Sequence, residues 1–409
     1  MRSLLRLALL LSLVAATGLA APPPLRAESS GLGFSVNSTL DQPDASPGNG
    51  VCLSTPSSVC TLRAAIMETN ALAGPGAITL QAGATYTLTL AGADELGALG
   101  DLDVTGDLTI TVAGGGQAII GAHASLSDRV FEIKPGVVAN FTGLTIRGGM
   151  STAPGGGIYN QGTLSLRQAT ISGNAIQGVS FGAGLFNAGA LWLYDSTINN
   201  NISQGNGGGL ANLGVMTATN STVSSNSAFG LGGGLWALSG AVTLRSTTVV
   251  ANRADADSMG GGSGGGLFID ASGVVTIANA IVGNNFRGLI FSTADDCAGQ
   301  LQSLDYNLVG AAAGCTVSGA TSHNLSGNPL IGALADNGGP TRTHALLLGS
   351  PAIDAGAPGA CTDANSISLL FDQRGQLRHV DGNGDTIARC DMGAYEAAYF
   401  FVRLPLVTK

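Results

Sequence analysis

Residues 155–174 read GGGIYNQGTLSLRQATISGN, and the same pattern returns at 182–201 as GAGLFNAGALWLYDSTINNN. Units of this kind open at Gly155, Gly182, Gly207, Gly232 and Gly264, spaced 27, 25, 25 and 32 residues apart. Each Gly triplet is followed by an aliphatic residue (Ile158, Leu185, Leu210, Leu235, Leu267). Two further aliphatic sets follow: Leu164, Leu191, Met216, Val242, Val275, and Leu166, Leu193, Ala218, Leu244, Ile277. A last set is Ile171, Ile198, Val223, Val249 and Ile281, and the units close on Asn174, Asn201, Asn226, Asn252 and Asn284. Within runs such as GAVTLRSTTVVAN (240–252) apolar and polar residues alternate, the period of a strand with one buried face.

Three short strands per unit cannot close a core alone, but stacked units can. Each unit then forms one turn of a coil, and equivalent side chains lie above one another at the strand spacing of about 4.8 Å. The Asn set becomes an amide ladder, and the Gly triplets supply turn conformations. The expected fold is all-β, a single-stranded right-handed parallel β-helix. Propeller blades need units of about 40–50 residues, and a sandwich has no stacked columns. AITLQAGATYTLTL (77–90), residues 100–122, residues 129–149 and LQSLDYNLVG (301–310) read as further coils. CTLRAAIMETNALAG (60–74) predicts a capping helix at the N-terminal mouth, with Thr61 as N-cap, Leu62, Ala65, Ile66 and Thr69 on the buried side, and Gly74 as terminator.

The composition agrees. Gly contributes 63 of 409 residues, about twice ordinary usage, which argues against helical bundles. Residues 1–27 carry Arg2, Arg6, an apolar stretch Leu7–Ala16 and small residues at Gly18, Ala20 and Ala21, the pattern of a secretory signal, with cleavage near Ala20 or Ala27 both open. No later segment holds 18 uninterrupted apolar residues, so no transmembrane helix is expected in the mature chain. The net charge is −9, and Lys occurs only at 134 and 409. No nucleic-acid partner is expected, because phosphate affinity needs several basic contacts. The Cys residues fall in local pairs, Cys52/Cys60, Cys297/Cys315 and Cys361/Cys390, expected as disulfides stapling the loop-rich ends of an exported chain. There is no CxxC for zinc, and His123, His323, His344 and His379 are scattered.

VCTLRAAIMETNA (59–71) resembles the Cys-Ser-Leu-Arg-Glu-Ala motif of secreted bacterial β-helix proteins, with Thr61 in place of Ser and Ala64 in place of Glu. LADNGGPTRTHALLLGSPAIDAG (334–356), DQRG (372–375) and CDMGAYE (390–396) resemble the choice-of-anchor Q domain family. The resemblance implies a pectin-lyase-like β-helix on the cell surface or secreted, and brings no established catalytic residues. The expected organisation is signal and cleavage region 1–27, N-terminal segment with capping helix 28–75, β-helix 76–333, choice-of-anchor-like region 334–396 and tail 397–409. The ending FFVRLPLVTK (400–409) reads equally as a terminal strand or a sorting tail.

Functional candidates are few. Tyr159, Phe186, Ala211, Trp236 and Phe268 follow the first aliphatic column and should point outward, as should Trp192 and Tyr194. Such a column either stacks sugar rings or stacks on itself under a loop, and the second reading is the simpler one. Asp381, Asn383, Asp385 and Asp391 are spaced like calcium ligands, but Thr386 stands where an EF-hand loop has Gly and Met392 where it has Glu, so a polar turn beside Cys390 competes. No cofactor is required by this reading, and calcium is the one these residues could take. Between Gly155 and Asn285 the acids Asp195, Asp255, Asp257 and Asp270 do not stack, which argues against a catalytic centre on these central faces; Asp101, Asp103 and Asp107 could still reach a cleft, with turn and loop roles the simpler reading. No phosphate loop, dinucleotide site or nucleophile elbow is present. The expectation is a secreted or cell-surface monomeric scaffold that binds polysaccharide or cell-envelope glycan without catalysis. The alternative is a polysaccharide lyase or glycoside hydrolase on the same fold.

Overall fold

A computed structural model describes residues 32–398, except 291, 359 and 360. The units stack as coils, and each coil carries four short strands rather than three. In the coil that opens at Gly155 they are β1 (Ile158–Asn160), β2 (Thr163–Arg167), β3 (Thr170–Ser172) and β4 (Ala175–Ile176). The β1 and β2 positions merge into one 18-stranded sheet, the β3 positions form a 10-stranded sheet and the β4 positions take part in a 7-stranded one. Strands of successive coils pair in parallel and in register, Ile158 with Leu185 with Leu210 with Leu235 with Leu267. The fold is a right-handed parallel β-helix. Its interior is the stack of aliphatic columns, continued upstream through Ile78, Ile110 and Phe141 and downstream to Leu301.

The fifth coil departs by one residue from the sequence pattern. Val282, not Ile281, aligns with Val249 in the interior, and Ile281 faces outward opposite Thr248. The ladder therefore passes through Asn285 instead of Asn284. Nδ2 of Asn174, Asn201, Asn226 and Asn252 donates to Oδ1 of the next Asn at 3.0, 2.9, 2.9 and 2.9 Å, and Asn285 donates to Asp296 Oδ1 at 2.8 Å. Oδ1 of Asn201, Asn226, Asn252 and Asn285 also accepts the backbone N–H of the Asn below it. A second ladder joins Asn160, Asn187 and Asn212 at 2.7 Å per step.

The helix spans Leu62–Ala71, capped by the Thr61 hydroxyl accepting from Ala64 N at 3.1 Å. It ends at Leu72, two residues before Gly74, whose φ of +103° turns the chain away. Leu62, Ala65 and Ile66 join the coil interior. Arg63 is buried on the same helix, 2.6 Å from Asp41, and donates to the carbonyls of Gly97 and Gly100 at 2.7 and 2.9 Å.

The segment from Ile331 to Ala398 shares its core with the coil. It lies along the outward side of the β3 sheet, where Val250, Ile281 and Leu308 pack with its Leu346, Ala352 and Met392. Gln373 bonds Thr197 and Thr222 at 2.8 and 2.7 Å, and His344 bonds Ser224 at 2.8 Å. This cover explains the displaced register: Ile281 is apolar because Gly393 of the covering segment presses on it. All three expected disulfides form, Cys52–Cys60, Cys297–Cys315 and Cys361–Cys390. Among the described residues no helix is long and apolar enough to cross a membrane.

Asn226→Ala removes a rung and leaves the Asn201 amide without its acceptor. It is expected to lower unfolding free energy by about 2–3 kcal/mol in a urea titration; a loss under about 0.5 kcal/mol would show that the ladder carries no net stability.

Candidate functional site

The outward column beside β1 is longer than the repeat suggested. Asp103 and Glu132 precede Tyr159 in register, followed by Phe186, Ala211, Trp236 and Phe268. Tyr159 and Phe186 rings stand 5.4 Å apart. Phe181, from the turn before the second unit, lies 6.4 Å from Phe186 and 5.0 Å from Trp236, on the side where Ala211 leaves room. Trp236 Nε1 donates to Asp270 at 2.8 Å. Phe186 and Trp236 are each 6% exposed, packed on Phe181 between them, while Tyr159 and Phe268 stay half-buried. Trp192 is equally buried on the neighbouring column. Tyr194 lies between Arg167 and Thr219 in register, with the Arg167 guanidinium 4.7 Å over its ring and 3.6 Å from Asp195.

At the upstream end, Asp101, Asp103 and Glu132 place carboxylate oxygens within 4.8 Å of one another. Asp103 departs from the expected turn role: it sits on the strand Leu102–Val104, buried. Asp101 and Asp107 lie outside strands, as expected, and Asp107 accepts Val138 N at 2.8 Å. Lys134 Nζ reaches Asp103 and Glu132 at 2.9 Å and Glu95 at 2.5 Å. Arg129 pairs with Glu132, stands 3.4 Å from Asp101 and lies 5.4 Å over the Tyr159 ring. Burial, then repulsion from Asp128 and Asp103, pushes the Asp101 carboxyl up to about 8. Burial works against the Lys134 ammonium, but its hydrogen bonds to Glu95, Asp103 and Glu132 outweigh that and raise its pKa. The trio could hold a divalent cation by its donor type, yet two side-chain cations already face it. With Arg63 on the far side, they clamp the 95–101 loop over the column.

In the 381–391 loop the polar side chains bond backbone N–H groups of the loop itself. Asp381 accepts Gly384 N and Thr386 N at 2.6 and 2.9 Å, and Asn383 accepts Asp385 N at 2.9 Å. Asp391 is buried elsewhere, accepting Asp354 N and Ala397 N at 2.7 and 2.5 Å.

Two grooves open beside the C-terminal cover. One, about 800 Å³, lies on the outward side of the β3 sheet upstream of the cover. Thr85, Thr87, Thr145, Arg147, Thr170 and Ser172 form its floor, and Asp336 and Gly339–Arg342 its rim. The other, about 500 Å³, lies over Arg167, Tyr194, Asp195 and Thr219 beneath Asp363 and Ser368–Gln373. There burial pushes Asp195 up to about 6 against the pull of Arg167, and the Thr219 hydroxyl is buried without a partner. The Thr-lined floor was missed in the sequence, although outward Thr at period two was its visible signal.

These faces belong to a right-handed parallel β-helix. The chain is similar to the crystal structure of pectate lyase Pel9A, with a TM-score of 0.51 and 14% identity over 90% of this chain and 98% of that one. No protein-family model matches the chain, and no curated protein matches its sequence. At this identity the likeness establishes the fold alone.

Trp236→Ala empties a buried ring site and is expected to cost about 3 kcal/mol in urea unfolding, while half-exposed Phe268→Ala costs less. Loss of glycan binding in Phe268→Ala at unchanged stability would mark the column as a sugar platform instead. Asp101 generates a pH signature. Near pH 3.8 and below, its carboxyl is protonated in folded and unfolded chains alike; between 3.8 and about 8 only the unfolded chain releases the proton, so this group's contribution to stability is lost as pH rises. Asp101→Asn is expected to match the wild type near pH 4 and to exceed it at pH 7.5 in urea midpoint. Equal pH slopes for both proteins would show that Asp101 is not held protonated.

Proposed function

We propose that the protein is an exported β-helix scaffold that binds carbohydrate and has no catalysis of its own. The observation that supports this most is the groove on the uncovered β3 face. Its volume suits several sugar units, its floor is a regular array of Thr and Ser hydroxyls, and its one carboxylate is Asp336, which accepts Gly338 N at 3.0 Å. Glycosidic hydrolysis usually takes two carboxyl groups facing across a cleft, and this lining offers one. Three disulfides favour an oxidising, extracellular location; the signal expected at 1–27 lies outside the described residues, as does most of the 397–409 tail. Membership of the choice-of-anchor Q family, a cell-surface site and a monomeric state belong to the same proposal, supported for the family by the 334–396 motifs.

The second reading, a polysaccharide lyase or hydrolase, draws on the Asp101–Glu132 neighbourhood, where a carboxyl held protonated stands near another acid. Against it, both groups are buried and are engaged by Arg129.

The mature chain is expected to bind members of a glycan panel with micromolar to millimolar Kd and to release neither reducing ends nor unsaturated products on long incubation. Product release abolished by Asp101→Asn would replace the scaffold with the enzyme.

A further inference from the structure

The groove on the β3 face holds two arginines that differ from most others in the chain. Arg63, Arg129, Arg374 and Arg378 are each paired with a carboxylate. Arg147 and Arg342 both line the groove and are exposed. Among the described residues neither guanidinium has an ion-pair or hydrogen-bond partner.

Both are held by the fold where they stand. Arg147 ends an outward strand position directly above Gly121 of the preceding coil. A Cβ on Gly121 would sit 3.5 Å from Arg147 Cγ and 3.8 Å from Nε, so the arginine stem rests on the bare glycine and lies along the floor. Arg342 projects from the rim, where its carbonyl accepts from Thr197 Oγ1 at 2.7 Å and Gln373 Nε2 at 3.2 Å. One guanidinium therefore comes from the coil and one from the cover. Asp336 is the single acid of the lining, in a chain of net charge −9.

We infer that the groove selects glycans whose sugars carry carboxylate groups, Arg147 reading one group from the floor and Arg342 another from the rim, with the Thr and Ser hydroxyls bonding ring oxygens and hydroxyls between them. This rests on the glycan-binding reading above and gives it a ligand class. Guanidinium binds carboxylate through two parallel hydrogen bonds, and the hydroxyl floor supplies no charge of its own.

The experiment compares oligogalacturonate with its fully methyl-esterified form, the same backbone without the charge, by titration calorimetry on the full chain. The acid form is expected to bind at least about tenfold more tightly, and to weaken as NaCl rises from about 50 to about 500 mM. Arg147→Gln and Arg342→Gln are each expected to weaken it about five- to tenfold, while Arg389→Gln, an exposed arginine outside the groove, leaves it unchanged. Equal binding of acid and ester, or wild-type affinity in both groove variants, overturns the charge selection and leaves the glycan scaffold standing. Absence of binding to both forms and to the whole neutral panel retires the two together.

Discussion

The structure depends on register between coils. A parallel stack with one buried face has no tolerance for a one-residue slip, because a slip sends each aliphatic residue outward and each polar one inward. The Asn174–Asn285 ladder enforces that register with directional bonds. Each amide sits where the chain turns between two strands and joins the coils on either side through both its side chain and its neighbour's N–H. The aliphatic columns supply most of the burial, and the ladder decides which residues take part.

Register also builds the outward surfaces. Because equivalent positions stack, whatever lies outward in one coil is repeated or contrasted in the next. Asp103, Glu132, Tyr159, Phe186, Trp236 and Phe268 are therefore one line, charged at the upstream end and aromatic beyond. Its two halves solve the same problem differently. The aromatic half buries its rings against one another and Phe181, and the charged half buries its carboxylates against Lys134 and Arg129. Both halves are largely closed, with Tyr159 and Phe268 half-buried, and the open, hydroxyl-rich surface lies on the β3 face.

The C-terminal segment decides how much of that face remains. From Thr197 downstream its Gln373 and His344 consume the outward Thr and Ser positions, and Ile281 and Val250 become part of a shared core. Upstream of it the same columns stay open, and the edge of the cover becomes the wall of a groove. The C-terminal segment thus shapes the open face of the coil as well as covering part of it.

The repeat, the parallel stacking, the inward columns, the capping helix and the disulfide partners were all legible in the sequence, since each rests on local period, spacing or compartment. Ile281 and Asn284 misled for a physical reason: alternation reports burial only when the outward side meets water, and there it meets the covering segment. The Asp101–Asp103–Glu132 cluster and the pairing of Arg147 with Arg342 across one groove were invisible for a related reason. Their members come from different coils or from opposite ends of the chain, and only the stacked coil and its folded-back tail place them together.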